Sequence, residues 1–329
     1  MRRRDFMKII GGAAAGWPLA ARAQQSERTR QIGLLLGAAE NDRDEKATLD
    51  GLLDGLAKLG WIEGRNLRTD LRFGGGDPDR IRAYAVELVR LAPDVIFAIG
   101  GASTSALQQQ TQNIPIVFTG PDPVGAGLVR NIARPEGNIT GFSIFEPSIV
   151  GKWLGLLKEA APRLVRVAII FHPELAITPS RYLSPIKEAA SALGVQAVNT
   201  PARNVVDIVH AVDAFAAEPN GGLLVLPPLP NTSVRNTILR LAEQHKLPAI
   251  YPTQADAAAG GLLAYATDRV DLHRRAASYV DRILRGGKIS ELPVQFPTKF
   301  ELIVNLKAAT AIGLTIPESL LFRADEVIR

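Results

Sequence analysis

Short apolar runs alternate with stretches of helical periodicity along most of the chain. The runs predict buried strands at residues 32–36, 67–73, 95–99, 114–118, 165–171, 195–198, 223–226 and 249–251. The stretches between them predict helices at residues 49–56, 78–91, 152–160, 186–193, 205–217 and 237–245. Such alternation predicts the α/β class, with parallel sheets covered on both faces. It begins again after residues 138–141, and 329 residues exceed one ordinary core, which predicts two doubly wound, Rossmann-like lobes.

The stretch at residues 94–129 carries the clearest signs of a binding site. Its first strand stops at a glycine pair ending in Gly101, and Ser103 and Thr104 follow at a predicted helix start. Its second strand ends in the same way, at Thr119 and Asp122. Ligands of open α/β sheets bind at the carboxyl ends of the strands. We therefore expect the two turns to face a ligand together.

The hydroxyls of Ser103 and Thr104 have two interpretations, which the sequence leaves open. Free N–H groups at a helix start suit a carboxylate, and small residues let it approach the backbone. Alternatively, one of the hydroxyls caps the helix. The segment is not a phosphate loop, a dinucleotide fingerprint or a nucleophile elbow, because each of these needs glycines or a lysine that are absent here.

Residues 1–23 have the pattern of a twin-arginine signal peptide. The segment Arg3-Arg4-Asp5-Phe6-Met7-Lys8 precedes a weakly apolar run and an Ala-x-Ala cleavage site ending at Ala23. This pattern predicts export to the periplasm and cleavage near Ala23.

The charge of the chain is concentrated in this segment. Of the formal net charge of +5, the first 23 residues hold five basic residues and one acidic residue, so about +1 remains after cleavage. A nearly neutral mature chain gives no support for nucleic-acid binding. The chain has no cysteine, which excludes disulfides, cysteine zinc sites and a lipid-modified cysteine.

Several stretches resemble the substrate-binding proteins of ABC transporters, in the family that includes tryptophan- and tyrosine-binding members. They lie at residues 133–143, 247–268, 279–288 and 292–328, and Pro-Thr-Lys-Phe-Glu-Leu at 297–302 is the most specific. The resemblance implies a type I periplasmic-binding-protein fold with a hinge between two lobes. It places residues 27–142 and 267–295 in the first lobe and residues 143–266 and 296–329 in the second.

The resemblance also implies a set of ligand contacts, drawn from both lobes. On the first lobe they are Gly37, Glu40, Gly101, Ala102, Ser103, Thr104, Thr119 and Asp122; on the second they are His172, Pro227, Asn231, Tyr251 and Tyr265. For several of these an ordinary structural role is equally open. His172 could be a loop residue, Asp122 could only initiate a turn, and the two tyrosines could be core aromatics or could stack on a flat ligand.

We expect an exported, soluble solute-binding protein that captures an amino acid or related carboxylate and delivers it to a membrane ABC permease. We expect a monomer with no catalytic residues, metal or cofactor. A periplasmic sensor of the same fold, acting through a membrane receptor, is the first alternative. An exported α/β enzyme is the second, but it needs a nucleophile beside a base or a dinucleotide fingerprint, and neither is found.

Overall fold

The computed structural model describes residues 29–146, 149–173, 179–227, 229 and 232–329. Five parallel strands form a first sheet in the order β2-β1-β3-β4-β5. They are β1 (Arg30–Leu36), β2 (Leu67–Phe73), β3 (Val95–Ile99), β4 (Ile116–Gly120) and β5 (Ile139–Ser143). The strands β3, β4 and β5 are buried throughout, as expected of a sheet covered on both faces.

Seven strands form a second sheet in the order β12-β11-β10-β9-β8-β6-β7. They are β6 (Arg166–Phe171), β7 (Gln196–Pro201), β8 (Gly221–Val225), β9 (Ala249–Tyr251), β10 (Leu263–Thr267), β11 (Phe300–Asn305) and β12 (Glu326–Ile328). All neighbours are parallel except β10 and β11, which pair antiparallel. The predicted α/β class with parallel sheets is confirmed, apart from this one pair.

Eleven helices within the described ranges connect and cover the strands. They are α1 (Arg43–Lys58), α2 (Pro78–Arg90), α3 (Gly101–Gln110), α4 (Ile149–Ala160), α5 (Pro179–Ala192), α6 (Val205–Ala216), α7 (Thr232–Gln244), α8 (Gln254–Ala258), α9 (Arg269–Leu284), α10 (Leu306–Ala311) and α11 (Glu318–Phe322). Asp42 and Asp77 accept hydrogen bonds from the first free N–H groups of α1 and α2, which explains where these helices begin. None of the described helices is long and apolar enough to cross a bilayer.

Helix α9 follows β10 of the second sheet but packs on the first. Its buried residues Leu272, Ala276 and Val280 join the core formed by β1, β3 and α1. Two glycines of α1 make the close approach possible: a Cβ on Gly51 would lie 2.8 Å from the Val270 carbonyl oxygen, and a Cβ on Gly55 would lie 2.7 Å from Ala277 Cβ. The first sheet therefore depends on a helix from late in the chain.

The chain passes between the two sheets three times, and hydrogen bonds tie the passages together. Ser143 N–H donates to the Gln295 carbonyl oxygen at 2.8 Å, and Gln295 N–H donates to the Gly141 oxygen at 3.0 Å. The Thr267 hydroxyl donates to the Ile144 oxygen at 2.8 Å. The three passages consequently lie side by side.

Candidate functional site

A cleft of about 900 Å³ lies between the carboxyl edges of the two sheets. Residues from both sides and from the chain passages line it. The first side supplies Gly37, Glu45, Thr48, Gly100, Thr119 and Arg269, the second supplies Pro227, Leu229, Arg235, Pro252, Thr253, Asp256 and Glu301, and Ile144, Phe145 and Asp268 lie at the passages. The volume is in the range of small-molecule sites.

Glycine turns form the floor of the cleft on the first side. Gly100 stands at the start of α3 with φ of +95°, a left-handed conformation that favours glycine. Its N–H donates to the Thr119 oxygen at 2.8 Å, and Gly37 N–H donates to the Ile99 oxygen at 3.1 Å. These bonds hold the ends of β1, β3 and β4 against one another at the base of the cleft.

Thr119 pairs with a histidine that is fully buried beneath the cleft. Its Oγ1 lies 3.0 Å from His273 Nε2, and the other ring nitrogen, Nδ1, lies 2.6 Å from the Arg269 carbonyl oxygen. Because a carbonyl only accepts, Nδ1 carries the proton and Nε2 accepts from the threonine hydroxyl. Burial, with a smaller contribution from the Arg269 charge, lowers the pKa of His273 to about 3, so the ring is neutral.

An ion pair joins the first turns of α1 and α9 at the cleft wall. Arg269 Nη2 lies 2.5 Å from Glu45 Oε1, and the Glu45 side chain is only 13% exposed. Glu45 Oε2 and Arg269 Nε are both buried and have no hydrogen-bond partner among the described residues. Each side chain thus has one polar atom left without a partner.

On the second side, a capped helix start places one carboxylate near one guanidinium. The Thr253 N–H and hydroxyl donate to Asp256 Oδ2 at 3.2 and 2.6 Å. Burial raises the pKa of Asp256, while its bonds to Thr253 and the positive charge of Arg235 act in the opposite direction. Arg235 makes no ion pair within the described part of the chain, and its Nε is buried without a partner.

Apolar groups and a satisfied carboxylate complete the wall at the passages. Phe145 packs edge-on against Trp153, with ring centroids 6.5 Å apart. Burial raises the pKa of Asp268, but the Asp271 N–H and the Lys299 ammonium, at 2.9 and 2.7 Å, outweigh it and hold the pKa below its usual range. Asp268 is therefore ionised and already paired.

Three of the contacts expected from sequence, Gly37, Thr119 and Pro227, line the cleft. Glu40 is exposed outside it, and Gly101 and Ala102 follow Gly100 in the first turn of α3 without lining the cleft. Asn231 falls outside the described residues.

Ser103 and Thr104 are fully buried in the first turn of α3 and do not line the cleft. The alternative in which one of them caps the helix is wrong, because Gly100 occupies the N-cap position and no side chain caps it. The Thr104 hydroxyl instead donates to the Gly100 oxygen at 2.9 Å. The Ser103 hydroxyl lies next to Gly37, 3.4 Å from where a Cβ on that glycine would stand, and has no hydrogen-bond partner among the described residues. A ligand contact at these two hydroxyls stays a prediction.

The remaining expected contacts have ordinary structural surroundings. Asp122 Oδ1 accepts from Gly125 N–H at 2.9 Å, which is a turn-initiating bond, and His172 lies in the loop after β6. Tyr251 is 1% exposed in the core of the second sheet, and Tyr265 stacks on Phe300 with ring centroids 5.5 Å apart. In this structure the two tyrosines are placed as core aromatics and do not line the cleft.

Sequence reasoning missed the charged residues of the cleft, chiefly Glu45, Arg235 and Arg269. Each lies in the first turns of a helix, where charged residues are common on any protein surface. Only Arg269 carried a signal, since it follows Asp268 at an expected passage between lobes. The described residues contain no cluster of histidine and acidic side chains that could hold a metal ion.

Comparisons with known proteins identify a family for this chain. The family model described as ABC transporter substrate binding protein matches residues 40–328. A tyrosine-binding protein of Clostridioides difficile (strain R20291) is 23% identical over 309 residues, covering 92% of this chain and 87% of that protein.

Two solved structures show the same arrangement of elements. A conserved domain protein from Vibrio cholerae superposes with a TM-score of 0.79 at 30% identity, covering 91% of this chain and 100% of that one. An ABC domain in complex with L-Trp from Streptococcus pneumoniae superposes with a TM-score of 0.78 at 24% identity, with the same coverage.

Proposed function

The chain belongs to the family of ABC transporter substrate-binding proteins, and from this we propose that it captures an amino acid in its cleft and delivers it to an ABC permease. Its fold is the type I periplasmic-binding-protein fold. The family consists of binding proteins rather than enzymes. The observation that carries the proposal is the cleft between the two sheet edges, which combines charges of both signs with an apolar wall.

An amino acid fits this combination of groups. Glu45 and the Thr119 hydroxyl can meet an ammonium group, Arg235 can meet a carboxylate, and Phe145 and Pro252 can pack against a side chain. The related protein named for tyrosine binding and the related structure holding L-Trp make aromatic amino acids the first class to test. We propose Gly37, Thr119 and Pro227 as ligand contacts.

A thermal-shift screen tests the proposal. The chain without residues 1–23 is melted with each standard L-amino acid, with small organic acids and with sugars. A ligand at 100 times its dissociation constant stabilises the folded state by about 2.7 kcal/mol, so a true ligand raises the melting temperature by several degrees. The D-enantiomer of any hit is the matched control. A screen in which only sugars raise the melting temperature would refute the proposal.

We further propose that the protein is exported to the periplasm through the twin-arginine pathway. We also propose that the mature protein is a monomer. Residues 1–23 lie outside the described residues, so the support comes from Arg3-Arg4-Asp5-Phe6-Met7-Lys8 and from family membership. Replacing Arg3 and Arg4 by Lys should leave unprocessed precursor in the cytoplasm, measured by cell fractionation. Normal processing of that variant would exclude this pathway.

A further inference from the structure

Arg235 differs from the other guanidinium group that lines the cleft. Arg269 is neutralised by Glu45 at 2.5 Å. Arg235, on α7 of the second side, has no ion pair among the described residues and has an Nε buried without a partner. An unpaired, partly desolvated guanidinium is a strong and geometrically specific partner for a carboxylate.

The acidic neighbour of Arg235, Asp256, does not form an ion pair with it. Asp256 lies close enough for Arg235 to influence its ionisation, but its Oδ2 is held by the Thr253 hydroxyl and N–H. Asp256 also lies in the wall of the cleft with only 3% of its surface exposed. The planar fork of Arg235 therefore keeps donors for a group that enters the cleft.

The first side of the cleft offers hydrogen-bond acceptors. Thr119 lines the cleft but is only 1% exposed, and its hydroxyl donates to His273 Nε2, so any further hydrogen bond to its oxygen would have to be donated by the ligand. Glu45 retains one carboxylate oxygen without a partner among the described residues. The Glu45 charge is balanced by Arg269, but the carboxylate oxygen and the threonine oxygen can both accept hydrogen bonds from an ammonium group.

We infer that an amino acid lies across the cleft in a fixed orientation, with its carboxylate on Arg235 and its ammonium group towards Thr119 and Glu45. This inference rests on the proposed function. It places the anionic end of the ligand on the second side, whereas the sequence pattern around Ser103 and Thr104 predicts it on the first. Those two hydroxyls are buried beneath the cleft floor, and the unpaired cation lies opposite.

Three probes can test the orientation: an amino acid and two analogues that each lack one of its two charged groups. L-Tryptophan has both charged groups, tryptamine lacks the carboxylate, and 3-indolepropionate lacks the ammonium group. A second series of L-tyrosine, tyramine and 3-(4-hydroxyphenyl)propionate covers a preference for the phenol. Calorimetry on the wild-type chain gives the loss of affinity caused by removing each end.

The same titrations on variants then assign each end to a side. Arg235→Gln should weaken binding of the amino acid by about ten- to a hundredfold and make it bind no better than the amine. The ratio of affinities between the amino acid and the acid that lacks the ammonium group should stay at its wild-type value. Arg240→Gln, on the exposed face of the same helix, is the matched control. It should change neither the affinity of the amino acid relative to the amine nor its affinity relative to the acid. Arg235→Lys should restore part of the affinity.

A variant on the first side should show the reverse pattern. Thr119→Val keeps the shape of the side chain and removes the acceptor. In this variant the amino acid should lose much of its advantage in affinity over the acid that lacks the ammonium group. Its advantage over the amine that lacks the carboxylate should persist. Thr119→Ser keeps the hydroxyl and should retain the wild-type ratios. Circular dichroism and melting temperatures establish that each variant is folded.

The outcomes separate this inference from the proposed function. If the wild-type chain binds an amino acid and Arg235→Gln retains the full preference for the carboxylate over the amine, the orientation is wrong and the function stands. If Arg235→Gln removes that preference, the orientation is supported. If the wild-type chain binds neither amino acid of the two series nor any other standard amino acid, both are overturned.

Discussion

A neutral histidine in the core makes the stability of the protein depend on pH. The pKa of His273 is lowered by burial from an ordinary value of 6.5 to about 3. Between these values the unfolded chain binds a proton that the folded chain does not, so stability falls as the pH falls. From pH 7 to pH 5 this residue alone should lower the free energy of unfolding by roughly 2 kcal/mol.

Urea unfolding of wild type and of His273→Gln at pH 7 and pH 5 measures this contribution. A glutamine amide can donate to the Arg269 oxygen and accept from Thr119 but has no proton to gain. The variant should lose about 2 kcal/mol less than the wild type between the two pH values. Equal losses in the two proteins would show that His273 is not buried and neutral.

At the residue scale, sequence alone located the turns of the site better than its charges. Thr119 could be predicted because it follows a buried strand, and strand ends are set by local pattern, whereas Gly37 was expected from the family resemblance. Arg235 and Glu45 could not, because only the packing of distant elements places them in the cleft. The role of His273 was also hidden, since its partner Thr119 lies 154 residues away in the chain.

The contact between α1 and α9 leads to a prediction about two glycines with opposite surroundings. Alanine usually stabilises a helix relative to glycine by up to about 1 kcal/mol. At Gly55 the added Cβ would lie 2.7 Å from both Ala277 Cβ and the Arg274 oxygen, and backbone atoms cannot move aside cheaply. Gly55→Ala should therefore lower the free energy of unfolding by roughly 1 to 3 kcal/mol.

Gly155→Ala in α4 is the matched control, because nothing lies within 4 Å of its added Cβ. This variant should be neutral or more stable by up to about 1 kcal/mol. The urea midpoints of the two variants should thus shift in opposite directions or at least differ clearly. If Gly55→Ala is as stable as Gly155→Ala, then α1 and α9 do not pack as closely as described.

At the element scale, three of the strands that sequence missed, β5, β10 and β11, lie at the passages between sheets. β5 contains Gly141, which weakens its strand pattern, but a Cβ there would lie 2.1 Å from the Phe118 oxygen, so glycine is what lets β5 pair with β4. The antiparallel pair arises because β10 ends at a passage and β11 begins beside it, with Thr267 opposite Phe300. Neither cause can be seen in local periodicity.

At the scale of the whole molecule, the cleft between the two sheets leads us to predict that the two lobes close on a ligand. The lobes meet at three adjacent passages, and the lobe boundaries expected near residues 142, 266 and 295 are part of this proposal. Few residues need to change conformation in such a hinge. Small-angle scattering with the L-amino acid identified by the screen should show a smaller radius of gyration than the free protein.

The D-enantiomer at the same concentration controls for non-specific effects on scattering. It should leave the radius unchanged. A radius that is also unchanged with the L-amino acid, when calorimetry shows the protein to be saturated, would exclude closure.

The helix that completes the first sheet is also among the last parts of the protein to be synthesised. At about 5 to 20 residues per second, the 154 residues between Thr119 and His273 take roughly 8 to 30 s to translate. During that time Leu49, Leu52 and Leu56 of α1 have no α9 to cover them. The first half of the chain thus leaves the ribosome unable to finish folding, and its apolar face is open to chaperones until α9 emerges.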